Sequence, residues 1–588
     1  MRLDNLRSAC LGGFLYGAIV YGAVLSLIHV VYNELGSTRD ALVTLVWFIL
    51  LYGGWAAVFF GVARLLTPRK VGDNLLPGLL VFNVFFWEIF WLYGMTYEET
   101  PFGKPSGLSG MVTFIVVAGL VIALVAALGS WLLARLFRGV GRRTVLAAAV
   151  LALVIHALAP LYARRPVEKQ AAAPPRIQTQ ETGLKVVLVG FDGADWRVIR
   201  PLMEKGQLPT FTALTQRGAS GPLTSIPDAN SAVIWASMYT GARPDRHGVH
   251  DFYRVELPGL ASAGLFPVHR TYFKELADLA GKVGLARQTM VSRYSLGALP
   301  VWEIVDHAGL SLGLVDGYLF SVPAMKPSSP QGFFLSYGLD GFAQAAGGKS
   351  LKDARVFAQP PQLFRQVRPL LDRDDFYWQS AVLFEMLRSH PQPRFLNFYT
   401  HQPDVWQHWY WKWLEPQYFP GVTQEDLSRY GGKIPQLHRD FDAFLGKLLA
   451  ALGPDTVLIV ASDHGHAPTI LHGNFYSQHR HGPPGILLMQ GGPVKPGYVF
   501  PGADVYDLHP TVLYLLGLPV PEDAAGKVLL DALDPEFVRR HPVRTVPSYE
   551  PLGPAKGLPG GNVGAGGAAG GDAMNRQEIE KLKSLGYL

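Results

Sequence analysis

The chain divides by hydrophobic pattern into two unlike halves. In the first 163 residues, apolar runs near positions 11–32, 41–63, 76–97, 111–133 and 144–162 each approach 20 residues. That length carries an α-helix across a hydrocarbon layer of ~30 Å. Five such runs predict five transmembrane helices; a cleaved signal peptide would be one short run with a small-residue cleavage site. After position 183 the apolar runs shorten. KVVLVGF at 185–191, RFLNFY at 394–399, TVLIVA at 456–461 and GILLM at 485–489 read as strands buried on both faces. Stretches at 376–389 and 434–452 read as helices. This alternation predicts an α/β layered domain with a mostly parallel central sheet, preceded by a five-helix transmembrane bundle.

The remaining segments fall between these blocks. Residues 164–183, with Arg164-Arg165-Pro166 and Pro174-Pro175, read as a semi-rigid linker. Residues 184–545 form the expected catalytic domain, and 251–360, rich in prolines and aromatics, its specificity insertion. Residues 546–588 read as a Gly-rich tail with a short terminal helix. Arg2, Arg7, Arg64, Arg69, Lys70, Arg135, Arg138, Arg142 and Arg143 flank the apolar runs on one side, against Arg39 and Lys104 on the other. Positive charge stays on the cytoplasmic side. The expectation is a multi-pass protein of the plasma (inner) membrane with its N-terminus inside and its large domain extracytoplasmic.

Within the apolar runs, Glu88, His29 and His156 are costly to bury. They read as packing or paired groups as readily as functional ones, Glu88 being the candidate for a lipid headgroup. Cys10 is the only cysteine, which excludes an intrachain disulfide and a CxxC metal knuckle. A net charge of +6 without a basic stripe gives no expectation of nucleic-acid binding.

Three strand runs lead into metal-ligand residue types: Asp192 after the first, Asp404 just beyond the second, and Asp463-His464 after the third. Ligands gather beyond the carboxyl ends of strands in open α/β sheets. Asp404 and His408, four apart on a helix, share a face. With His481 these residues offer three carboxylates and three imidazoles, a set suited to Zn²⁺ first and Mn²⁺ second. Ser231 is the candidate nucleophile, since a metal lowers the pKa of a bound hydroxyl. A serine before an apolar helical run is equally an ordinary N-cap, and both roles agree with an anion at a helix N-terminus.

FDGADW from Phe191, SAVIWASMYTGARPDRHGV from Ser231, DVWQH from Asp404, SDHGH from Ser462 and HGPPGILLM from His481 together resemble the alkaline phosphatase superfamily. The nearest branch in pattern is the type I phosphodiesterase/nucleotide pyrophosphatase group and its bacterial phosphohydrolases. The resemblance implies one metal on Asp404, His408 and His481, and a second on Asp192, Asp463, His464 and Ser231. His479 competes with His481, although the similar HRPEGILI-type motif places its histidine four residues before the glycine, at His481. It implies in-line attack by the Ser231 hydroxyl and a covalent phosphoserine that water resolves. Ser231-Ala232-Val233 replaces the Thr-x-Pro frequent in relatives, and no Asn lies between Ser231 and Gly241 to contact a nucleotide phosphate. The sulfatase pattern of Cys or Ser followed by x-Pro-x-Arg is absent as well. The expected substrate is a phosphorylated small molecule or a lipid-linked phosphoester, with membrane lipid as the other partner. Two alternatives stand beside hydrolysis: a phosphoethanolamine- or glycerophosphate-type headgroup transferase, and a catalytically inactive membrane anchor.

Overall fold

The computed structural model describes most of residues 6–66, together with 142–159, 174–260, 264–267, 273–321, 325–337, 356–359, 375–472, 475–479 and 482–553. The expected third and fourth spans, Glu88, the first half of the linker and most of the Gly-rich tail lie outside these residues. The chain forms two compact units, one of residues 1–169 with 253–289 and the other of 170–252 with 290–588.

In the first unit, one helix among the described residues is long and apolar enough to cross a membrane, Thr38–Val62 within the helix Thr38–Leu66. The five-helix expectation is corrected to this extent. The first apolar run is divided into a π-helical stretch, Gly17–Ala23, and a nine-residue helix, Val24–Tyr32. The fifth becomes the 17-residue helix Arg142–Leu158. Apolar-run length does not register glycines recruited for close packing. A Cβ on Gly17 would lie 2.4 Å from the Tyr52 carbonyl oxygen, so only glycine lets these backbones approach. His156 Nε2 lies 3.1 Å from Ser26 Oγ, and His29 Nδ1 lies 2.8 Å from the Leu25 carbonyl. Both histidines therefore have local packing partners.

The second unit is built on one mixed ten-stranded sheet. Nine strands run in the order Tyr498–Val499, Ala219–Thr224, Gly485–Gln490, Thr456–Ala461, Lys185–Phe191, Phe395–Thr400, Leu312–Val315, Phe333–Tyr337 and Val356–Gln359, and Ala503–Asp504 pairs with Ala219–Thr224. The centre, from Thr456–Ala461 to Phe333–Tyr337, is parallel as expected. The whole is not, because Gly485–Gln490 is antiparallel to both neighbours and Val356–Gln359 to its one. The hairpin Ala467–His472/Phe475–Gln478 brings the chain back to Gly485 without a crossover helix, and a parallel return requires one.

β-Branched and apolar side chains fill the central strands, and their two faces take different partners. Phe191 stacks on Phe441 of the helix Lys433–Ala451 with centroids 4.4 Å apart. On the neighbouring strand Tyr399 meets Trp235 edge-on at 4.9 Å; Trp235 belongs to the wholly buried helix Ser231–Thr240. The sheet is thereby clamped at its middle by aromatic contacts.

Buried histidines also lie in this unit outside the strand-end cluster, His247, His438 and His509 among them. Burial pushes the imidazoles of His247, His438 and His509 down, to about 3, 4 and 3. Each stays neutral in the folded chain but takes a proton near pH 6.5 once unfolded. The unfolded state then binds more protons below that pH, and stability falls as pH drops toward 4. His438 alone is expected to cost about 2 kcal/mol at about pH 5. Urea unfolding of the full chain at neutral and at mildly acid pH checks this. His438→Gln should narrow the difference between the two midpoints, and an unchanged difference would show that the acid sensitivity lies elsewhere.

Candidate functional site

Strand register brings the distant candidate ligands together. Gly190 pairs with Ala461 and Phe191 with Thr400, so three adjacent parallel strands end along one edge. Asp192 follows the first. The helix Gln402–Leu414, just past the second, carries Asp404 and His408 on one face. Asp463, His464 and His466 follow the third. The antiparallel strand Gly485–Gln490 begins at the same edge, which brings in His479 from the preceding hairpin.

Ser231 opens its helix but is not the cap. Asn230 takes that part, its Oδ1 accepting from Val233 N at 3.3 Å while its Nδ2 donates to Asp251 Oδ1 at 2.8 Å. The Ser231 hydroxyl is left to the site, 2.9 Å from His464 Nε2 and donating to Asp192 Oδ1 at 3.4 Å. Asp192 Oδ2 accepts from Trp235 Nε1 at 2.9 Å and Tyr399 OH at 2.6 Å. Its Oδ1 thus faces His464 Nε2, 3.5 Å away. Asp463 Oδ1 is held by Gly193 N at 3.1 Å, and Asp463 Oδ2 lies 3.1 Å from His464 Nε2.

Ser477 orients two imidazoles at once. His408 Nδ1 donates to its carbonyl at 2.8 Å, and His466 Nδ1 lies 2.9 Å from its hydroxyl. Their Nε2 atoms then turn toward Asp404 Oδ1, at 3.5 and 3.0 Å. For His408 this bond fixes the tautomer whose Nε2 keeps its lone pair, the form a metal accepts. His479 stacks on His464 with centroids 4.2 Å apart. Three overlapping groups result: Asp192, Asp463 and His464; Asp404, His408 and His479; Asp404, His464 and His466.

The residues fit a cation. Asp463 Oδ2, His464 Nδ1, His466 Nε2 and His479 Nδ1 are buried without an aligned hydrogen-bond partner. Burial, then the charges of Asp463 and Asp404, push the Asp192 carboxyl well above the usual range. Burial raises Asp463 to about 7. Asp404 goes the other way: burial opposes its charge, but the imidazoles of His408, His466 and His479 hold it below the usual carboxylate range. Burial lowers His464 to about 3. Repelling carboxylates beside neutral imidazoles are the donor set that a divalent ion relieves.

Six of the seven expected residues meet here; His481 lies outside the described residues. The spacing argument misses His466 although it stands inside SDHGH, because that argument weighs only the pair directly after the strand. The tryptophans after Asp404 divide between roles. Trp411 is buried and stacks near His466, whereas Trp409 is 39% exposed.

Comparison with known proteins places this arrangement. The profile of the type I phosphodiesterase/nucleotide pyrophosphatase family matches residues 186–504, more than half of the 588-residue chain, and the chain belongs to that family. Over 81 residues it is 40% identical to the phosphopentomutase of Symbiobacterium thermophilum, covering 14% of this chain and 19% of that enzyme. Over 119 residues it is 35% identical to a 2,3-bisphosphoglycerate-independent phosphoglycerate mutase of Synechocystis sp., covering 18% and 22%. Over 145 residues it is 32% identical to human arylsulfatase K, covering 22% and 27%. The matches span about a quarter or less of these relatives. Among solved structures, murine ectonucleotide pyrophosphatase/phosphodiesterase 5 covers 60% of this chain and 100% of its own, at 13% identity and a TM-score of 0.37. Phosphonoacetate hydrolase from Sinorhizobium meliloti covers 50% and 61%, at 15% identity and a TM-score of 0.30.

Metal-stripped full chain is expected to gain thermal stability on addition of Zn²⁺ or Mn²⁺, and Asp404→Asn to lose most of that gain. Gly193→Ala should behave the same way, because its backbone has φ +72° and a Cβ would lie 2.7 Å from His466 Nε2. Melting curves with and without metal decide it. An equal Tm rise in all three proteins would place the binding elsewhere.

Proposed function

We propose that the chain is a membrane-anchored, two-metal hydrolase of phosphate esters that works through a phosphoserine at Ser231. The observation that carries this reading is a buried serine hydroxyl, at the start of a ten-residue helix, facing three carboxylates and several neutral imidazoles. One cation belongs on Asp192, Asp463, His464 and Ser231. The other belongs on Asp404, His408 and a histidine from the Gln478–Gly485 approach, His479 or His481. Zn²⁺ or Mn²⁺ bound there supplies positive charge to the attacking and leaving oxygens.

The protein's own groups do the positioning. Trp235 and Tyr399 hold Asp192 so that its Oδ1 accepts a hydrogen bond from the Ser231 hydroxyl. The free N–H groups at the start of the helix Ser231–Thr240 favour an anionic phosphoryl group beside the serine. Attack by Ser231 Oγ forms an O–P bond as the bond from phosphorus to the leaving oxygen breaks. Water then cleaves the phosphoserine and restores the hydroxyl.

The helix Thr38–Leu66 supports anchorage, and the charge bias of the flanking residues supports a cytoplasmic N-terminus with the catalytic unit outside. That same helix favours a second reading, transfer of a phospho-headgroup from lipid to an envelope acceptor. The near-complete ligand set speaks against an inactive anchor. A radiolabelled lipid donor, supplied with and without acceptor, separates hydrolysis from transfer by whether water or acceptor takes the headgroup.

Ser231→Ala is expected to lower turnover of p-nitrophenyl mono- or diesters by at least about a hundredfold. It should keep most of the metal-induced Tm rise, since Asp192, Asp463 and His464 remain for that cation and Asn230 still caps the helix. Acid quenching during turnover should trap labelled native protein and no labelled Ser231→Ala variant. Full activity in that variant would end the covalent reading.

A further inference from the structure

The helix Thr38–Leu66 is longer than a bilayer requires. Its 29 residues reach about 43 Å at 1.5 Å per residue, against a hydrocarbon layer of about 30 Å. The excess is roughly nine residues. Near the N-terminal end of this helix, the segment 253–289 of the same unit covers it. Trp47 Nε1 donates to the Pro258 carbonyl at 2.9 Å, and Phe48 stacks on Phe273 with centroids 4.8 Å apart. Asn33, just past the preceding helix, accepts from Phe266 N at 2.6 Å and donates to the Phe266 carbonyl at 3.2 Å. The polar residues Asp40 and Thr44 on this clad stretch are buried. Further along, Val58, Val62 and Leu65 are 68%, 50% and 72% exposed, an apolar face that suits lipid. Val46 and Leu50, 53% and 51% exposed, carry that face towards the N-terminal end, so the segment meets the helix where buried Asp40 and Thr44 give way to exposed apolar side chains.

Among the described residues, the covering segment carries its own exposed apolar surface. Its helix Phe273–Lys282 buries Phe273, Leu276, Ala277 and Ala280, yet Leu279, Val283 and Leu285 are 59%, 65% and 49% exposed. Lys282 and Arg287 are exposed among them. Apolar side chains flanked by long cations suit the acyl–headgroup boundary, where the stems lie along lipid and the charges reach phosphates.

We propose that residues 279–287 dip into the bilayer interface beside the N-terminal end of that helix, with Leu279, Val283 and Leu285 among the upper acyl chains and Lys282 and Arg287 at the headgroups. The partner is the lipid surface itself. This rests on the membrane-anchored reading, and three features carry it: the length of the helix, the contacts of the segment with its N-terminal end, and the exposed apolar side chains of the segment set beside Lys282 and Arg287.

Cys10 is the only cysteine, so a Cys10→Ser background accepts single reporters. Leu279→Cys, Val283→Cys and Leu285→Cys, each carrying an environment-sensitive dye, are reconstituted as full chain in phosphatidylcholine vesicles. Val58→Cys reports on the span, and Val499→Cys, 69% exposed in the second unit, reports on water. The three interface dyes are expected to lose fluorescence to a headgroup spin label and to resist aqueous iodide. The Val58 dye should respond to a mid-chain spin label, and the Val499 dye to iodide. Iodide quenching of all three interface dyes as complete as at Val499, with Val58 still in lipid, overturns the proposal alone. Iodide quenching at Val58 overturns the membrane reading as well. Shielding from iodide that no lipid spin label reaches would mean contact with a second copy, and also overturns it.

Discussion

The architecture of the second unit turns on the burial of three carboxylates at one edge of its sheet. Asp192, Asp404 and Asp463 meet in a buried site where the charge of Asp404 disfavours charge on both of the others, and burial drives Asp463 up to about 7. Such a cluster persists only if the surrounding fold holds it and positive charge balances it. The holding groups are identifiable. Trp235 and Tyr399 grip one oxygen of Asp192, Gly193 N grips one of Asp463, and Ser477 sets the rings of His408 and His466. The aromatic clamp on the central strands thus serves the site directly, since Trp235 and Tyr399 are both core packing and ligand-holding residues.

The sheet explains why Gly193 and Asp463, 270 positions apart, are neighbours. Parallel strands deliver Asp192, Asp404 and Asp463 to one edge in matched register. The single antiparallel strand beside them starts, rather than ends, at that edge, and so places His479, which precedes it, beside them. A parallel strand in that place would have sent His479 to the opposite end. The mixed topology is therefore part of how the ligand set is completed.

Much of this was legible in the residues. The strand Lys185–Phe191 and the strand Thr456–Ala461 follow from short β-branched runs, and the Asp404–His408 face follows from helical spacing. Other parts were not. An antiparallel return is invisible to hydropathy, because a buried strand reads the same in either direction. The helix cap is ambiguous in sequence because Asn and Ser adjoin at 230 and 231, and only the Asn230–Val233 and Asn230–Asp251 bonds show which is used. The apolar run at 11–32 looks continuous because glycines that let helices touch count as mildly apolar. His466 stands inside SDHGH and His479 beside His481 in the sequence, but their place comes from the hairpin, whose strand Phe475–Gln478 sets Ser477 against the rings of His408 and His466.

Anomalous diffraction at the zinc edge from crystals of the full chain grown with Zn²⁺ tests the central claim most directly. The account predicts two strong peaks in one cavity, one bounded by Asp192, Asp463, His464 and Ser231 and the other by Asp404 and His408. No peak within reach of Ser231, or zinc held only by surface side chains, would contradict it.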